Sequence, residues 1–233
     1  MTTPAKAMIL AAGRGERMRP LTDRIPKPLL KVAGKMLIEY QLEHLAAAGI
    51  REVVINHAWL GTQIEQALGD GGRYGLSIRY SAEGDTPLET AGGILKALPL
   101  LRGGPFLVIN ADICCDYPLA ELPGEPEGLA ELVMVPNPPH HPEGDFALQA
   151  EAGDKQVKGL LHLNGEPRCT YSGIGVYRPE LFSECETAPL PLAPLLRHAA
   201  SQGLLHGRLY DGDWIDIGTP ERLRELESRT LPE

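Results

Sequence analysis

The sequence predicts an α/β protein with a mixed central sheet flanked by helices, and two observations carry this prediction. In the first half, short apolar runs alternate with segments of helical periodicity, which is the pattern of parallel strands joined by crossover helices. In the second half, strand-like runs follow one another with few helices between them, which indicates antiparallel pairing. We find no internal repeat in the 233 residues and expect one domain over 1–233, with halves at about 1–115 and 116–233.

The elements of the first half can be justified in chain order. Residues 7–11 form a short apolar run that leads into a glycine, as a buried strand would. Residues 36–48 place leucine and isoleucine at helical spacing and stop at Gly49, whereas residues 52–56 (EVVIN) are β-branched and strand-like. The same reasoning predicts helices at 61–68 and 90–98, the second ended by Pro99, and strands at 76–80 and 106–110.

The second half is predicted to be richer in strands. Helical periodicity is confined to residues 191–202 and to a closing helix at 220–229, which has a proline in its first turn. In sheets of this kind, ligands bind beyond the carboxyl ends of the strands, so the segments after residues 10, 80 and 110 are the places to look for a site. The strand-like runs of this half are 132–135, 147–150, 160–163, 172–177 and 204–210.

Composition excludes several classes of protein. Asp and Glu (31) outnumber Lys and Arg (22), the net charge is −9, and no basic block occurs, which argues against a nucleic-acid partner. No apolar run reaches the roughly 20 residues of a membrane span, and the apolar stretch near the start is too short for a signal peptide. The four cysteines form no C-x-x-C pair, which fits a reducing compartment. We therefore expect a cytoplasmic protein without a membrane partner, either a monomer or a small homo-oligomer.

A loop rich in glycine and arginine follows the first strand. Gly13 and Gly15 let backbone N–H groups approach an anion, and three arginines within six residues supply charge for phosphate oxygens. Lys27 stands between two prolines, which restrict the backbone that carries its ammonium. The spacing is not the Rossmann dinucleotide fingerprint, because Met18 replaces its third glycine, and no Walker G-K-[ST] occurs. A solvated basic turn is the alternative interpretation of this loop.

Two aspartates lie in surroundings that favour a metal ion. Asp112 follows the apolar run FLVIN, and Asp216 lies among apolar residues in WIDIGTP. An aspartate is costly to bury unless it is paired, hydrogen-bonded or bound to a metal, and Mg²⁺ prefers carboxylate and phosphate oxygens. Each aspartate could instead cap a turn or a helix. His140 and His141 lie in a proline-rich run, and we expect them in an exposed loop and not at a metal.

The segment LAAGRGERMRPLTDRIPKPLLKV (10–32) resembles the signature of the sugar-1-phosphate nucleotidyltransferases. The resemblance extends over nearly the whole chain. It implies a Rossmann-like nucleotidyltransferase fold, with a nucleotide half, a sugar half and no β-helix domain, and transfer of a nucleoside monophosphate onto a sugar 1-phosphate. The further matching segments are GRYGLSIRYSAE (72–83), LETAGG (88–93), FLVINAD (106–112), SGIGVY (172–177) and WIDIGTP (214–220).

The resemblance also implies a role for each matching residue. Arg17, Lys27 and Asp112 correspond to catalytic positions, and Asp112 and Asp216 correspond to the aspartates that bind Mg²⁺. The nucleoside triphosphate is expected to lie over the glycine-rich loop, with Glu83 facing its base. The nucleotide-binding residues that the resemblance implies are Leu10, Ala11, Ala12, Gly13, Arg14, Gly15, Lys27, Glu83, Thr90 and Gly92.

The acceptor side departs from the family pattern. Many relatives carry an E-K-P segment whose lysine meets the sugar phosphate, whereas residues 163–168 read LNGEPR and hold no lysine in that place. Lys158 or Arg168 could take over this role. The residues expected around the sugar, from their positions on strands and loops, are Asn110, Gly144, Glu151, Ser172 and Gly173.

The resemblance favours UTP as the donor and N-acetylmuramate 1-phosphate as the acceptor, as in the short members that serve peptidoglycan recycling. Losing the common hexose-binding segment is consistent with this bulkier sugar. The alternatives within the class are guanylyl or thymidylyl transfer to mannose, heptose or glucose 1-phosphate. A non-catalytic sensor of nucleotide sugars on the same fold is the alternative from another class. It is disfavoured because Arg17, Lys27, Asp112 and Asp216 are all present.

Overall fold

A nine-stranded mixed sheet forms the centre of the fold. The structure is a computed structural model that describes residues 3–84, 88–150, 157–186 and 189–230. The strands in chain order are β1 (Lys6–Leu10), β2 (Lys31–Val32), β3 (Lys35–Met36), β4 (Glu52–His57), β5 (Ser77–Ala82), β6 (Phe106–Asn110), β7 (Ile113–Cys115), β8 (Ala130–Val135), β9 (Phe146–Ala150), β10 (Lys158–His162), β11 (Arg168–Tyr177), β12 (Leu205–Leu209) and β13 (Trp214–Asp216). The α-helices are α1 (Leu37–Ala47), α2 (Gly61–Leu68), α3 (Glu89–Leu101), α4 (Leu192–Ser201) and α5 (Pro220–Thr230).

The strand order of the main sheet is β5-β4-β1-β6-β11-β8-β12-β10-β9. The first four of these strands run parallel to one another. β11 is antiparallel to β6, and the strands beyond it mix both directions. The predicted parallel first half and mixed second half are therefore confirmed. Because β1 lies between β4 and β6, the chain passes on both sides of it, which puts a topological switch point at the end of β1.

Helices cover both faces of the sheet because its central strands are apolar on both sides. Ile9 of β1 packs in a buried cluster with side chains of α1 and α2, whereas Met8 packs in another with α3 and α4. These neighbours point to opposite faces because side chains alternate along a strand. None of the helices in the described part of the chain is long and apolar enough to cross a membrane.

The predicted end of the third helix is wrong. α3 does not stop before Pro99 but continues through it to Leu101. A proline this close to the end of a helix removes a single backbone hydrogen bond. The following turn is held by packing, since Leu101 is almost fully buried in the cluster beneath α3 and α4. Tertiary burial therefore outweighs the local helix-breaking effect of proline.

A small antiparallel sheet of β7 and β13 was not predicted from the sequence. It pairs Asp216 with Ile113 and Ile215 with Cys114, joining the segment after β6 to the segment before α5. An apolar cluster that includes Met18, Ile217 and Leu226 packs with Ile215 of this small sheet. The small sheet thereby fastens the glycine-rich loop and α5 to the end of the main sheet.

Candidate active site

The loops that follow β1, β4 and β5 enclose a cavity of about 860 Å³. Its wall includes many of the predicted nucleotide-binding residues. Asn56, Trp59 and Leu88 also line it, and the sequence did not single them out. The predicted residues on the wall are Leu10, Ala12, Gly13, Arg14, Glu83 and Thr90.

Arg14 forms part of the cavity wall through fixed contacts. Its guanidinium donates to the Thr22 carbonyl oxygen at 2.8 Å and to Asp23 at 3.0 Å, and it stacks over the Trp59 ring at 3.9 Å. The Trp59 indole N–H donates to the same Thr22 carbonyl at 3.0 Å. Gly15, which begins the following 3-10 turn, has a φ of +66°, a conformation that glycine adopts without strain. These contacts fix the path of the glycine-rich loop before any ligand arrives.

Glu83 is held at the cavity wall by a buried network. The Ala11 backbone N–H donates to Asn56 Oδ1 at 2.9 Å, and Asn56 Nδ2 donates to Glu83 Oε1 at 2.6 Å. Glu83 is only 8% exposed and Asn56 only 3%. Gly93 backs this network, because a Cβ there would lie 2.4 Å from Glu83 Oε1. Gly92 is not on the cavity wall, and its backbone N–H donates to the Leu190 carbonyl at 3.0 Å.

Lys27 forms an ion pair with Asp112. Pro26 and Pro28 flank the lysine at the start of a short 3-10 turn, and the lysine side chain is largely buried. Asp112 follows β6 directly, and its carboxylate is 37% exposed. The structure therefore brings together two of the predicted catalytic residues, which lie 85 positions apart in the chain.

Asp216 ends β13 of the small sheet, and Asp112 directly precedes its partner strand β7. The Ile217 backbone N–H donates to the Asp112 carbonyl at 2.7 Å, directly after the pairing of Asp216 with Ile113. A proposal that these two carboxylates share one ion is therefore compatible with the fold. Had the two aspartates lain on distant surfaces, that proposal would have failed.

Each oxygen of the Asp216 carboxylate has a different neighbour. Oδ2 accepts a hydrogen bond from Arg222 of α5. Oδ1 is buried and makes no hydrogen bond, although His140 Nε2 approaches it to 3.2 Å. The sequence placed His140 in an exposed loop, and its side chain is 40% exposed, but the structure also puts it next to Asp216. No pattern in the proline-rich segment indicated this contact.

Arg17 extends toward the same carboxylate. A Cβ on Gly218 would lie 3.1 Å from both Arg17 NH2 and Asp216 Oδ2, and 3.2 Å from Arg222 NH1. Two guanidinium groups and one carboxylate thus surround the space that Gly218 leaves open. Arg17 is exposed and makes no hydrogen bond or ion pair with any residue that the structure describes. Its charge is therefore available to an anion.

The residues around Asp112 and Asp216 fit a hard divalent cation. The buried Asp216 Oδ1 lacks a hydrogen bond, as a metal-ligating oxygen would without its ion. In the described ranges, no group of three or more His, Cys, Asp or Glu side chains could hold a metal. Burial raises the pKa of the Cys115 thiol to about 12 and raises that of Cys114 too, so both stay protonated and are poor ligands. Two carboxylates offer oxygen donors here, which would suit an ion that also binds phosphate oxygens.

The residues predicted around the sugar lie at two separate places, one where β11 meets β6 and one in the loop before β9. A Cβ on Gly173, whose φ is +87°, would lie 2.7 Å from Asn110 Nδ2, so these two predicted residues are in contact. The Ser172 carbonyl accepts a hydrogen bond from the Trp214 indole at 2.9 Å. Gly144 is buried against Asn137 in the loop that carries His140. Glu151 lies outside the described residues.

Neither Arg168 nor Lys158 is placed to replace the missing lysine at the sugar phosphate, the role that the sequence had left open for them. All three guanidinium nitrogens of Arg168 donate to backbone carbonyl oxygens, including those of Leu163 and Asp145, at 2.8–3.2 Å. Arg168 therefore braces the loop before β9. Lys158 lines a separate cavity of about 230 Å³ with Glu131 and Arg208.

Comparison with known proteins gives consistent results. The nucleotidyl transferase family matches residues 6–232 of the chain. An N-acetylmuramate α-1-phosphate uridylyltransferase of Neisseria meningitidis is 51% identical, over 96% of this chain and 97% of that protein. A protein with the same name from Caulobacter vibrioides is 34% identical over 97% of both chains.

A solved structure confirms the predicted fold. It is that of a putative glucose-1-phosphate thymidylyltransferase from Bacillus anthracis, in complex with a sucrose. It superposes with a TM-score of 0.80 and 21% identity, covering 96% of this chain and 94% of that one. The glycine-rich loop, Glu83, Asp112 and Asp216 thus lie on the same fold as that structure. The chain belongs to the nucleotidyl transferase family, as its sequence predicted.

Proposed function

We propose that this protein transfers UMP from UTP to N-acetylmuramate 1-phosphate and releases pyrophosphate. The observation that carries the proposal is the meeting of Lys27, Asp112, Asp216 and Arg17 at the end of the first strands, beside a cavity of nucleotide size. The choice of donor and acceptor is supported by the 51% identity to an N-acetylmuramate α-1-phosphate uridylyltransferase over nearly the full length of both chains.

The nucleoside of UTP is proposed to occupy the cavity. The base faces Glu83, whose position is fixed by Asn56, and the ribose and phosphates run along Leu10–Gly13 toward Lys27. A carboxylate accepts hydrogen bonds, so Glu83 would accept the one N–H of a uracil ring. Backbone N–H groups of the loop then donate to oxygens of the nucleotide.

Arg17 and Lys27 are proposed to stabilise the charge that develops on the phosphates. Arg17 has its donors unused among the described residues, and Lys27 is held in place by its two prolines and by Asp112. An acceptor phosphate oxygen is already a nucleophile, so it attacks the α-phosphorus in line without a general base, and pyrophosphate leaves. Catalysis in such reactions comes from positioning and charge stabilisation.

Asp112 and Asp216 are proposed to hold Mg²⁺. Together with phosphate oxygens and water they would supply the oxygen ligands that this ion prefers. When bound, Mg²⁺ polarises the phosphate group and neutralises charge on the leaving pyrophosphate. We further propose that the reaction serves peptidoglycan recycling in the cytoplasm, and the N-acetylmuramate in the names of two relatives supports the link to peptidoglycan.

A pyrophosphate-release screen tests the proposal. UTP, dTTP, GTP and CTP are each combined with the 1-phosphates of N-acetylmuramate, N-acetylglucosamine, glucose, mannose and heptose in the presence of Mg²⁺. We expect the strongest release with UTP and N-acetylmuramate 1-phosphate, and a product of the mass of the UDP-sugar. Lys27→Met should lower turnover by about 10³-fold because it removes a positive charge at the reacting phosphates.

Two results of the screen would contradict the proposal. A dominant signal with GTP and mannose 1-phosphate would show that both proposed substrates are wrong. Binding of UTP with Mg²⁺, measured by calorimetry, without pyrophosphate release from any pair would favour a nucleotide sensor. Circular dichroism of Lys27→Met controls for unfolding.

A further inference from the structure

Arg222 has one edge of its guanidinium free of hydrogen bonds to the described residues. Its NH1 donates to the Asp216 side-chain Oδ2 and, at 3.4 Å, to the Asp216 carbonyl oxygen. Its Nε and NH2 make no hydrogen bond with any residue in the described part of the chain. The side chain is 17% exposed and is anchored by its contact with Asp216. Nε and one hydrogen of NH2 form the fork that binds two oxygens of a phosphate.

The other cations near the acceptor side are already committed. Arg168 donates from all its guanidinium nitrogens to backbone carbonyl oxygens, and Lys158 lines a different cavity. Arg17 and Lys27 are assigned to the triphosphate. Among the basic residues that the structure places around Asp112 and Asp216, Arg222 is thus the arginine left for a second phosphate.

The position of Arg222 suits an acceptor that attacks beside the metal ligands. Its NH1 and Arg17 NH2 both lie just over 3 Å from the point where a Cβ of Gly218 would stand. The guanidinium groups of Arg222 and Arg17 are therefore neighbours. The charges also favour an anion there, because Arg17, Lys27 and Arg222 outnumber Asp112 and Asp216, in a chain whose net charge is −9.

We propose that Arg222 binds the phosphate of the sugar 1-phosphate acceptor through Nε and NH2, in place of the lysine that residues 163–168 lack. This inference rests on the proposed function, since it needs a phosphorylated acceptor. It does not depend on which sugar carries the phosphate. Arg222 then does two things at once: it fixes the Asp216 carboxylate with NH1 and receives the acceptor with its other edge.

Steady-state kinetics of Arg222→Gln and Arg222→Lys test the inference. We expect Arg222→Gln to raise the KM for the acceptor at least tenfold and the KM for UTP less than twofold. Arg222→Lys should recover part of the acceptor affinity, because it restores the charge but not the fork. Arg224→Gln is the matched control, since Arg224 lies on the same helix and its guanidinium pairs with the exposed Glu221.

Calorimetry separates this inference from the proposed function. Acceptor binding is measured in the presence of Mg²⁺ and a UTP analogue that cannot react. Wild-type protein that binds no sugar 1-phosphate would contradict the proposed function. Wild-type binding that Arg222→Gln retains would overturn the inference alone, and so would an equal rise in both KM values, which would assign Arg222 to the triphosphate. Arg222→Lys and UTP binding by each variant check that the fold is intact.

Discussion

Gly93 shows how an absent side chain makes room for the buried Glu83–Asn56 network. A Cβ at this position would lie 2.4 Å from Glu83 Oε1 and 2.8 Å from Asn56 Nδ2. Real side chains do not tolerate such contacts, so the buried carboxylate would have to move. Because Glu83 is held by Asn56, a shift of either residue changes the position of both.

We predict that Gly93→Ala raises the KM for UTP about tenfold and leaves the KM for the acceptor nearly unchanged. The added methyl group displaces Glu83 from the base without touching the acceptor side. Gly175→Ala is the control, because a Cβ there crowds Leu132 and Tyr177 inside the sheet, far from the base. It should lower stability without changing either KM. Equal effects of the two variants on KM for UTP would contradict the role given to Gly93.

At the scale of residues, the family resemblance was found because its longest matching segment is contiguous. The glycine-rich loop and Lys27 both lie within 10–32, and their role at the phosphates stays a prediction. Asn56 could not be found in this way, because its role depends on a hydrogen bond to Ala11 that spans 45 positions. The sequence did not predict that Arg222 and His140 contact Asp216, for the same reason. Their contacts with Asp216 arise only when α5 and the proline-rich loop fold onto β13.

At the scale of elements, α1 carries a group that couples stability to pH. His44, in the last turn of this helix, is half-buried. Burial lowers the pKa of His44 below its ordinary value of about 6.5, against weaker opposing effects of the Tyr117 backbone and Asp116. Below that pH the unfolded chain binds a proton at this position more readily than the folded protein does. The free energy of unfolding therefore falls as the pH drops through and below about 6.5.

We predict that His44→Gln reduces this loss of stability between pH 7.5 and 5.5. Urea unfolding at three pH values in this window measures it. The wild-type midpoint should fall more steeply than that of the variant. His141→Gln is a suitable control, since the His141 side chain is 40% exposed and lies beside the partly exposed Asp145. Parallel curves for wild type and His44→Gln would show that His44 does not contribute.

Element prediction failed where packing between distant segments decides the outcome. Pro99 would be expected to end the helix, but α3 continues to Leu101, because burial of the Leu101 side chain stabilises the last residues of the helix. β7 and β13 are each three residues long, too short to carry a periodic pattern. Their pairing nevertheless brings the segments that carry the two aspartates together. The long, strongly apolar strands of the main sheet were predicted correctly because their pattern is local and repeated.

At the scale of the whole molecule, the proposed ligands should act on stability as well as on rate. The site is assembled from the loop after β1, the segment after β6, β13 and α5, so it exists only in the folded protein. A ligand that binds only the folded state raises its free energy of unfolding. Metal removal should therefore be visible in thermal unfolding.

We predict that UTP with Mg²⁺, at about a hundredfold excess over Kd, raises the melting temperature by roughly 5–10 °C. UTP with EDTA should give a smaller rise, because Asp112 and Asp216 would then face the phosphates without a cation between them. Asp216→Asn should lose the Mg²⁺-dependent part of the rise. An identical increment for Asp216→Asn and wild type would remove Asp216 from the metal site.

The two tryptophans of the chain stand at opposite ends of the proposed reaction path. Trp59 is stacked under Arg14 on the nucleotide side, and Trp214 is fastened to Ser172 two residues before Asp216. Under the proposed function, the intrinsic fluorescence therefore contains one tryptophan signal near the UTP site and one near the site of the sugar 1-phosphate. Replacing either indole with phenylalanine isolates the other, so the order in which the substrates arrive could be followed by stopped flow without attaching a dye.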